Sequence, residues 1–197
     1  IIKVDVPAAS SVRRGHLGLM LYRLADADVV DPTTPTAPGY AEVSLVSAPA
    51  TQSVPYNANG VKVGTIKLTA GQNATTVSSV TVTRSGLGNV GDLQGARLAN
   101  SNTVTDVKSF SSSSQTATIK FAPSLKLAAG ESVNFDVMVA LDANATVNSQ
   151  HKFAVTSVNV SNGTASGSPV NLSEINTTSY KVANVTLAFD GTNTLQS

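Results

Sequence analysis

Hydrolysis by an activated hydroxyl is the chemistry that 24 Ser and 22 Thr would serve, and it needs a base within hydrogen-bond reach of one of them. The sequence offers two histidines, His16 and His151. His16 sits in a small-residue, basic N-terminal stretch and reads as solvent-facing or packed at an interface. His151 opens an alternating run, His151-Lys-Phe-Ala-Val155, and reads as a surface or strand-end residue. No P-loop, GxGxxG, HExxH or EF-hand pattern occurs. Cysteine is absent, which excludes thiolate catalysis, Cys-ligated metal and disulfides. The expectation is a chain that is not an enzyme, with no catalytic residue, no cofactor and no metal site.

Three other groupings have residue types that could do chemistry. Asp26, Asp28 and Asp31 place hard oxygen ligands close together, but the glycine and the bidentate acid of a calcium loop are missing, so they read as a solvated loop. Lys62, Lys181, Asn184 and Asp136 are the residue types of an intramolecular Lys–Asn amide, yet alternation puts Asp136 on the face opposite Phe135 and away from the core. Asn-X-Ser/Thr occurs at Asn73, Asn144, Asn159, Asn162, Asn171, Asn176 and Asn184. That is a mild excess over the roughly three to four that composition gives by chance. These are the candidate glycosylation sites, alongside Ser/Thr, and turn-like sequence favours Asn162 and Asn171.

Charge and hydropathy narrow the class of protein. Thirteen basic and twelve acidic residues among 197 leave a formal charge of +1, without the basic patch that nucleic-acid binding requires. No stretch approaches the ~20 apolar residues of a membrane-crossing helix. The chain begins at Ile1, which reads as a processed N-terminus of a secreted protein.

The elements that must position any site are strands. In Val77-Ser-Ser-Val-Thr-Val-Thr83, Val80 and Val82 share one face while Ser and Thr take the other. Between Val61, Val63 and Ile66, Leu68 the phase slips by one at Gly64, which predicts a bulge. Further runs fall at residues 96–98, 104–110, 116–121, 133–141, 153–160 and 180–189. Val133, Phe135, Val137, Val139 and Leu141 form the clearest core row. Turn chemistry in Leu127-Ala-Ala-Gly-Glu131 and Ser161-Asn-Gly-Thr164 separates the runs. Many short strands at about ten-residue spacing predict an all-β, immunoglobulin-like antiparallel β-sandwich.

The N-terminal part differs. Ile1-Ile-Lys-Val-Asp-Val6 is a β-type hexamer stopped by Pro7, and Asp31-Pro-Thr-Thr-Pro-Thr-Ala-Pro-Gly39 is a stiff extended connector. The domain reading is an arm over residues 1–40, a sandwich over 41–190 and a C-terminal tail over 191–197. A short apolar strand on a tether can complete the sheet of another copy. Ile1, Ile2, Val4 and Val6 are the donor-strand candidates.

Val63-Gly-Thr-Ile-Lys-Leu-Thr-Ala70, Val77-Ser-Ser-Val-Thr-Val-Thr-Arg-Ser-Gly86, Gly91-Asp-Leu-Gln-Gly-Ala-Arg-Leu98, Leu127-Ala-Ala-Gly-Glu-Ser-Val-Asn-Phe-Asp136 and His151-Lys-Phe-Ala-Val155 occur in succession. Together, over residues 55–160, they resemble the Ig-like modules of secreted bacterial surface, S-layer-like and pilus-type filament proteins. The resemblance implies architecture and an extracellular, cell-surface location, and no residue-level role follows from it. The expected function is a structural subunit of an extracellular filament or surface layer, a homopolymer held non-covalently. The competing expectation is a monomeric adhesin or glycan-binding module. The scarcity of aromatic platforms, with no Trp and four Tyr, weighs against that alternative.

Overall fold

The computed structural model describes residues 38–179. Ten strands follow one another: β1 (Gly39–Ser47), β2 (Gln52–Pro55), β3 (Val61–Ala70), β4 (Thr75–Ser85), β5 (Leu93–Ala99), β6 (Thr116–Leu127), β7 (Ser132–Leu141), β8 (Gln150–Val160), β9 (Gly163–Ser166) and β10 (Val170–Thr178). They form two five-stranded sheets in the orders β5-β7-β3-β1-β9 and β2-β10-β8-β4-β6, which pack face to face as an all-β sandwich. Period-2 alternation explains the core. Phe135 and Val137 are 0% exposed and Leu141 is 1% exposed in β7, and they meet Val80, Val82 and Val155 of the other sheet in one apolar cluster. Val133, at the start of the same row, is only partly buried. The phase slip at Gly64 is a bulge, since the β3–β7 register shifts between Lys62 and Gly64.

Three expectations are corrected. Residues 104–110 do not form a strand; they touch β5 through two isolated bridges, Ala96 to Lys108 and Ala99 to Val104. Four strands had no counterpart in the sequence reading: β1, β2, β9 and β10. Two of them have only four residues, and in β10 small polar residues, Ser173 and Thr177, occupy inward positions, so the apolar alternation is broken. The turn sequences also do more than reverse the chain. Asn162, at φ 54°, turns β8 into β9, yet β9 pairs with β1 of the opposite sheet. The turn at Gly130, φ +71°, likewise carries the chain from β6 in one sheet to β7 in the other. Two pairings are parallel, β1 with β9 and β2 with β10.

Candidate functional site

Arg84, in phase with Val80 and Val82 on β4, and His151, in phase with Phe153 and Val155 on β8, both point into the sandwich. They are 6% and 0% exposed. Asp92, 4% exposed, ends the single-turn 3₁₀ segment Val90–Asp92 ahead of β5. That turn is fixed by a capping box: the Asn89 side chain accepts from the Gly91 amide, and Asp92 Oδ2 accepts from the Asn89 amide at 2.9 Å.

A buried charge must be paired and hydrogen-bonded to persist, and Arg84 and Asp92 are, whereas Nε2 of the neutral His151 makes no hydrogen bond. Arg84 Nε donates to His151 Nδ1 at 3.2 Å, Arg84 Nη1 donates to Gln115 Oε1 at 2.7 Å, and Nη2 donates to the Gly88 carbonyl. His151 Nε2 faces Asp92 Oδ2 at 3.5 Å. Asp92 Oδ1 accepts from the Thr146 amide at 2.8 Å. Because Nδ1 accepts, Nε2 carries the proton of the neutral ring. The ring also fixes its neighbour's identity: a Cβ at Gly88 would overlap His151 Cε1.

Burial and the Arg84 charge push the His151 pKa down to about 4, against a smaller opposing pull from Asp92. Burial raises the Asp92 carboxyl, but hydrogen bonds from Thr146, Ser149 and Asn89 outweigh it and leave the pKa below the ordinary value. Burial lowers Arg84, and Asp92 partly restores it. The group therefore works as an internal lock holding β4, β8, the 3₁₀ turn and the β7–β8 loop together. The grouping of Ser149, His151 and Asp92 has the residue types of a hydrolytic triad without its order. Ser149 serves Asp92, and no hydroxyl among the described residues bonds either ring nitrogen. The reading of His151 as a surface residue is corrected: its parity with Phe153 and Val155 places it inside.

A pH dependence follows. The folded pKa of His151, about 4, lies below its unfolded value of about 6.5, so between these values the unfolded chain binds the extra proton. Its contribution is complete above about pH 6.5 and is lost as pH falls towards 4, amounting to about 3 kcal/mol. Asp92, with its lowered pKa, loses its contribution at still lower pH. Thermal melts at pH 7 and pH 4.5 should show a marked drop for the native chain and a smaller drop for His151→Gln. Equal drops would refute the role of His151.

A second feature is where the chain enters and leaves the sandwich. At one pole the Gly39 amide donates to Asn162 O at 3.1 Å, the Gly71 amide to Tyr40 O at 2.9 Å and the Gly130 amide to Gly71 O at 2.8 Å. At the other pole the Asn148 amide donates to Thr177 O at 2.8 Å and the Thr177 amide to Ser149 O at 2.9 Å. β8 runs between the poles from Gln150 to Val160, about 35 Å at the usual rise per residue. The start of β1 and the end of β10 thus lie at opposite ends of the sandwich.

The donor candidates Ile1, Ile2, Val4 and Val6 lie outside the described residues, as do His16, Asp26, Asp28, Asp31, Lys181 and Asn184. Lys62 Nζ and Asp136 Oδ1 form an ion pair at 2.8 Å on the outer face, where alternation had put Asp136. Asn73, Asn144, Asn159, Asn162 and Asn171 are exposed, and Asn176 is half-buried. Asn162 is in a turn as expected, whereas Asn171 lies within β10, opposite Ala154. Among the described residues no helix is long and apolar enough to cross a membrane.

No protein-family model matches this chain, and no curated protein matches it. Among solved structures it is similar to a chain from the crystal structure of a CaDoc0917–CaCohA2 (dockerin–cohesin) complex at pH 5.5, with 12% identity and a TM-score of 0.31. That similarity covers 71% of this chain and 99% of the other.

Proposed function

We propose that this chain is the structural subunit of an extracellular, pilus-type filament or surface layer. Copies are joined head to tail and without covalent links, by donation of the N-terminal strand carrying Ile1, Ile2, Val4 and Val6 to a neighbour. The observation that carries this reading is the placement of the start of β1 and the end of β10 at opposite poles. A unit with its flanking segments at opposite ends propagates along a line, and a contact that does not close on itself generates a filament. The Ig-like surface-protein resemblance over residues 55–160 and the low charge point the same way. In this reading the exposed Asn162, which lies in a turn, is the first carrier of any glycan.

Electron microscopy of native material, with light scattering of the purified chain, tests the proposal. Filaments or layers, and scattering mass that grows with concentration, are expected. A monodisperse monomer at high concentration would reject the proposal in favour of the monomeric adhesive module.

A further inference from the structure

A sheet edge carries a row of backbone groups without partners, and proteins either blunt such an edge or use it. The sandwich blunts most of its own. The outer side of β5 is covered by residues 103–108, with the Ala96 amide donating to Lys108 O at 2.9 Å, the Lys108 amide to Ala96 O at 2.8 Å and the Thr105 amide to Leu98 O at 2.9 Å. β6 carries exposed Lys120, Pro123 and Lys126, and residues 121–124 have no counterpart in its pairing with β4. β2 is four residues long and ends in Pro55.

One stretch of edge has neither a covering segment nor a charge or proline, and its one irregularity is a register shift between Leu45 and Ser47. β9 pairs only with residues 39–42 of β1, a strand of nine residues. From Ser44 onward β1 has β3 on one side and, among the described residues, no strand on the other. Leu45 shares the inward phase of Ala41 and Val43, which are 0% and 1% exposed, yet it is itself 47% exposed. Val46 beside it is 49% exposed. Residues 43–48 carry no charge. An inward apolar row thus runs out from under its cover where the neighbouring strand stops.

We propose that this open half of the β1 edge receives residues 1–6 of a second copy of the chain. The proposal rests on the reading that copies are joined by a donated N-terminal strand, and names where that strand docks. The segment fits the place. Ile2, Val4 and Val6 alternate, so one face can cover Leu45, and the six residues are long enough to span the four open positions, Ser44–Ser47. A strand added here continues the line of β9 in the same sheet. Residues 7–38 can reach about 100 Å when extended, roughly three times the length of the sandwich, so a neighbour stacked pole to pole is within range.

Because the chain has no cysteine, engineered pairs test this directly. Val46→Cys is combined with Lys3→Cys and, separately, with Asp5→Cys, both on the donor face opposite Val4. Thr118→Cys, exposed on β6, replaces Val46→Cys in the control chains. A cross-strand disulfide forms only when the Cα atoms lie within about 7 Å. Oxidation with a copper catalyst should convert filaments of a Val46→Cys chain into a series of covalent multimers, at least tenfold more abundant than from the Thr118→Cys chains. Multimers from the Thr118→Cys chains alone, or from neither, in material that still forms filaments would overturn the docking site and leave strand donation standing. Cross-linked monomers would overturn the second copy as occupant. Failure of the parent chain to assemble at all would remove the reading on which the proposal rests. Leu45→Lys, at an exposed position, should in addition keep the melting temperature and raise the critical concentration at least tenfold.

Discussion

Removal of residues 1–6 is expected to leave a folded, β-rich monomer that no longer polymerises. The strand would contribute several main-chain hydrogen bonds, each worth about 0.5–1.5 kcal/mol net, and three apolar side chains, each worth roughly 1.5–3 kcal/mol on burial. Association itself costs several kcal/mol in lost freedom, so the surplus that holds copies together is smaller than this sum. Since every ~1.4 kcal/mol is a factor of ten, loss of the strand should raise the critical concentration by well over a hundredfold. Val4→Asp, which puts a charge into the buried face, should weaken assembly by about a hundredfold while leaving the thermal melt unchanged. Sedimentation and electron microscopy read both effects. Filaments of normal appearance from the truncated chain would show that assembly is carried elsewhere, by the C-terminal Val185-Thr-Leu-Ala-Phe189 or by lateral packing of sandwiches.

The second large effect is on the internal lock. Asp92→Asn keeps the shape of the side chain but removes the negative charge that faces His151 and offsets Arg84. Removing a buried charged acceptor takes a partner from the Asn89 and Thr146 amides and the counter-charge from Arg84, which costs about 3 kcal/mol. For a body of this size that corresponds to a fall in melting temperature on the order of 10 °C. Asp136→Asn provides the contrast. Its partner Lys62 is 2.8 Å away, with side chains 42% and 35% exposed for Lys62 and Asp136. A pair so exposed contributes at most about 1 kcal/mol. Calorimetry on both variants in the truncated monomer separates folding from assembly. Similar losses in the two would mean that Asp92 is not organising the pole.

What could be read from the sequence, and what could not, divides along physical lines. Strands that alternate large apolar with polar residues were legible: the β7 row of Phe135, Val137 and Leu141, the Val80 and Val82 face of β4, and even the bulge at Gly64. Strands that owe their existence to pairing rather than pattern were not. β9 has only Gly, Thr, Ala and Ser, and forms because β1 lies beside it. β1 follows a proline-rich connector, and only its first two residues fall within the arm as read from the sequence, although no strand was read there. Residues 104–110 are rich in β-formers, but Val104, Val107 and Phe110 fall three apart rather than two, and after Ala99 the chain only touches β5 at two bridges.

The lock was missed for a different reason. Parity placed His151 with Phe153 and Val155, and Arg84 with Val82, so the inward direction was available in the pattern. The cost of burying such groups made a surface reading of His151 the natural one. Only the arrival of Asp92 from a distant turn, and of Gln115 and the Gly88 carbonyl around the guanidinium, makes that burial affordable. Nothing in local spacing reports a partner that sequence separates by about sixty residues. The docking edge was hidden in the same way, since the exposure of Leu45 depends on where β9 stops.

The opposite placement of the start of β1 and the end of β10 has a mechanical meaning. A filament under tension would pull on these two strands along their own axes and away from each other. The first four residues of β1 have β9 beside them as well as β3 in the sheet, and the last four of β10 have β2 as well as β8, so each strand is gripped from both sides at the end where the chain leaves. A strand drawn lengthwise past its neighbours loads its hydrogen bonds together, in shear, whereas a strand peeled from an edge breaks them one after another. The same topology that sends the chain out at opposite poles therefore makes each subunit resist stretching along the line in which the proposed polymer would carry force.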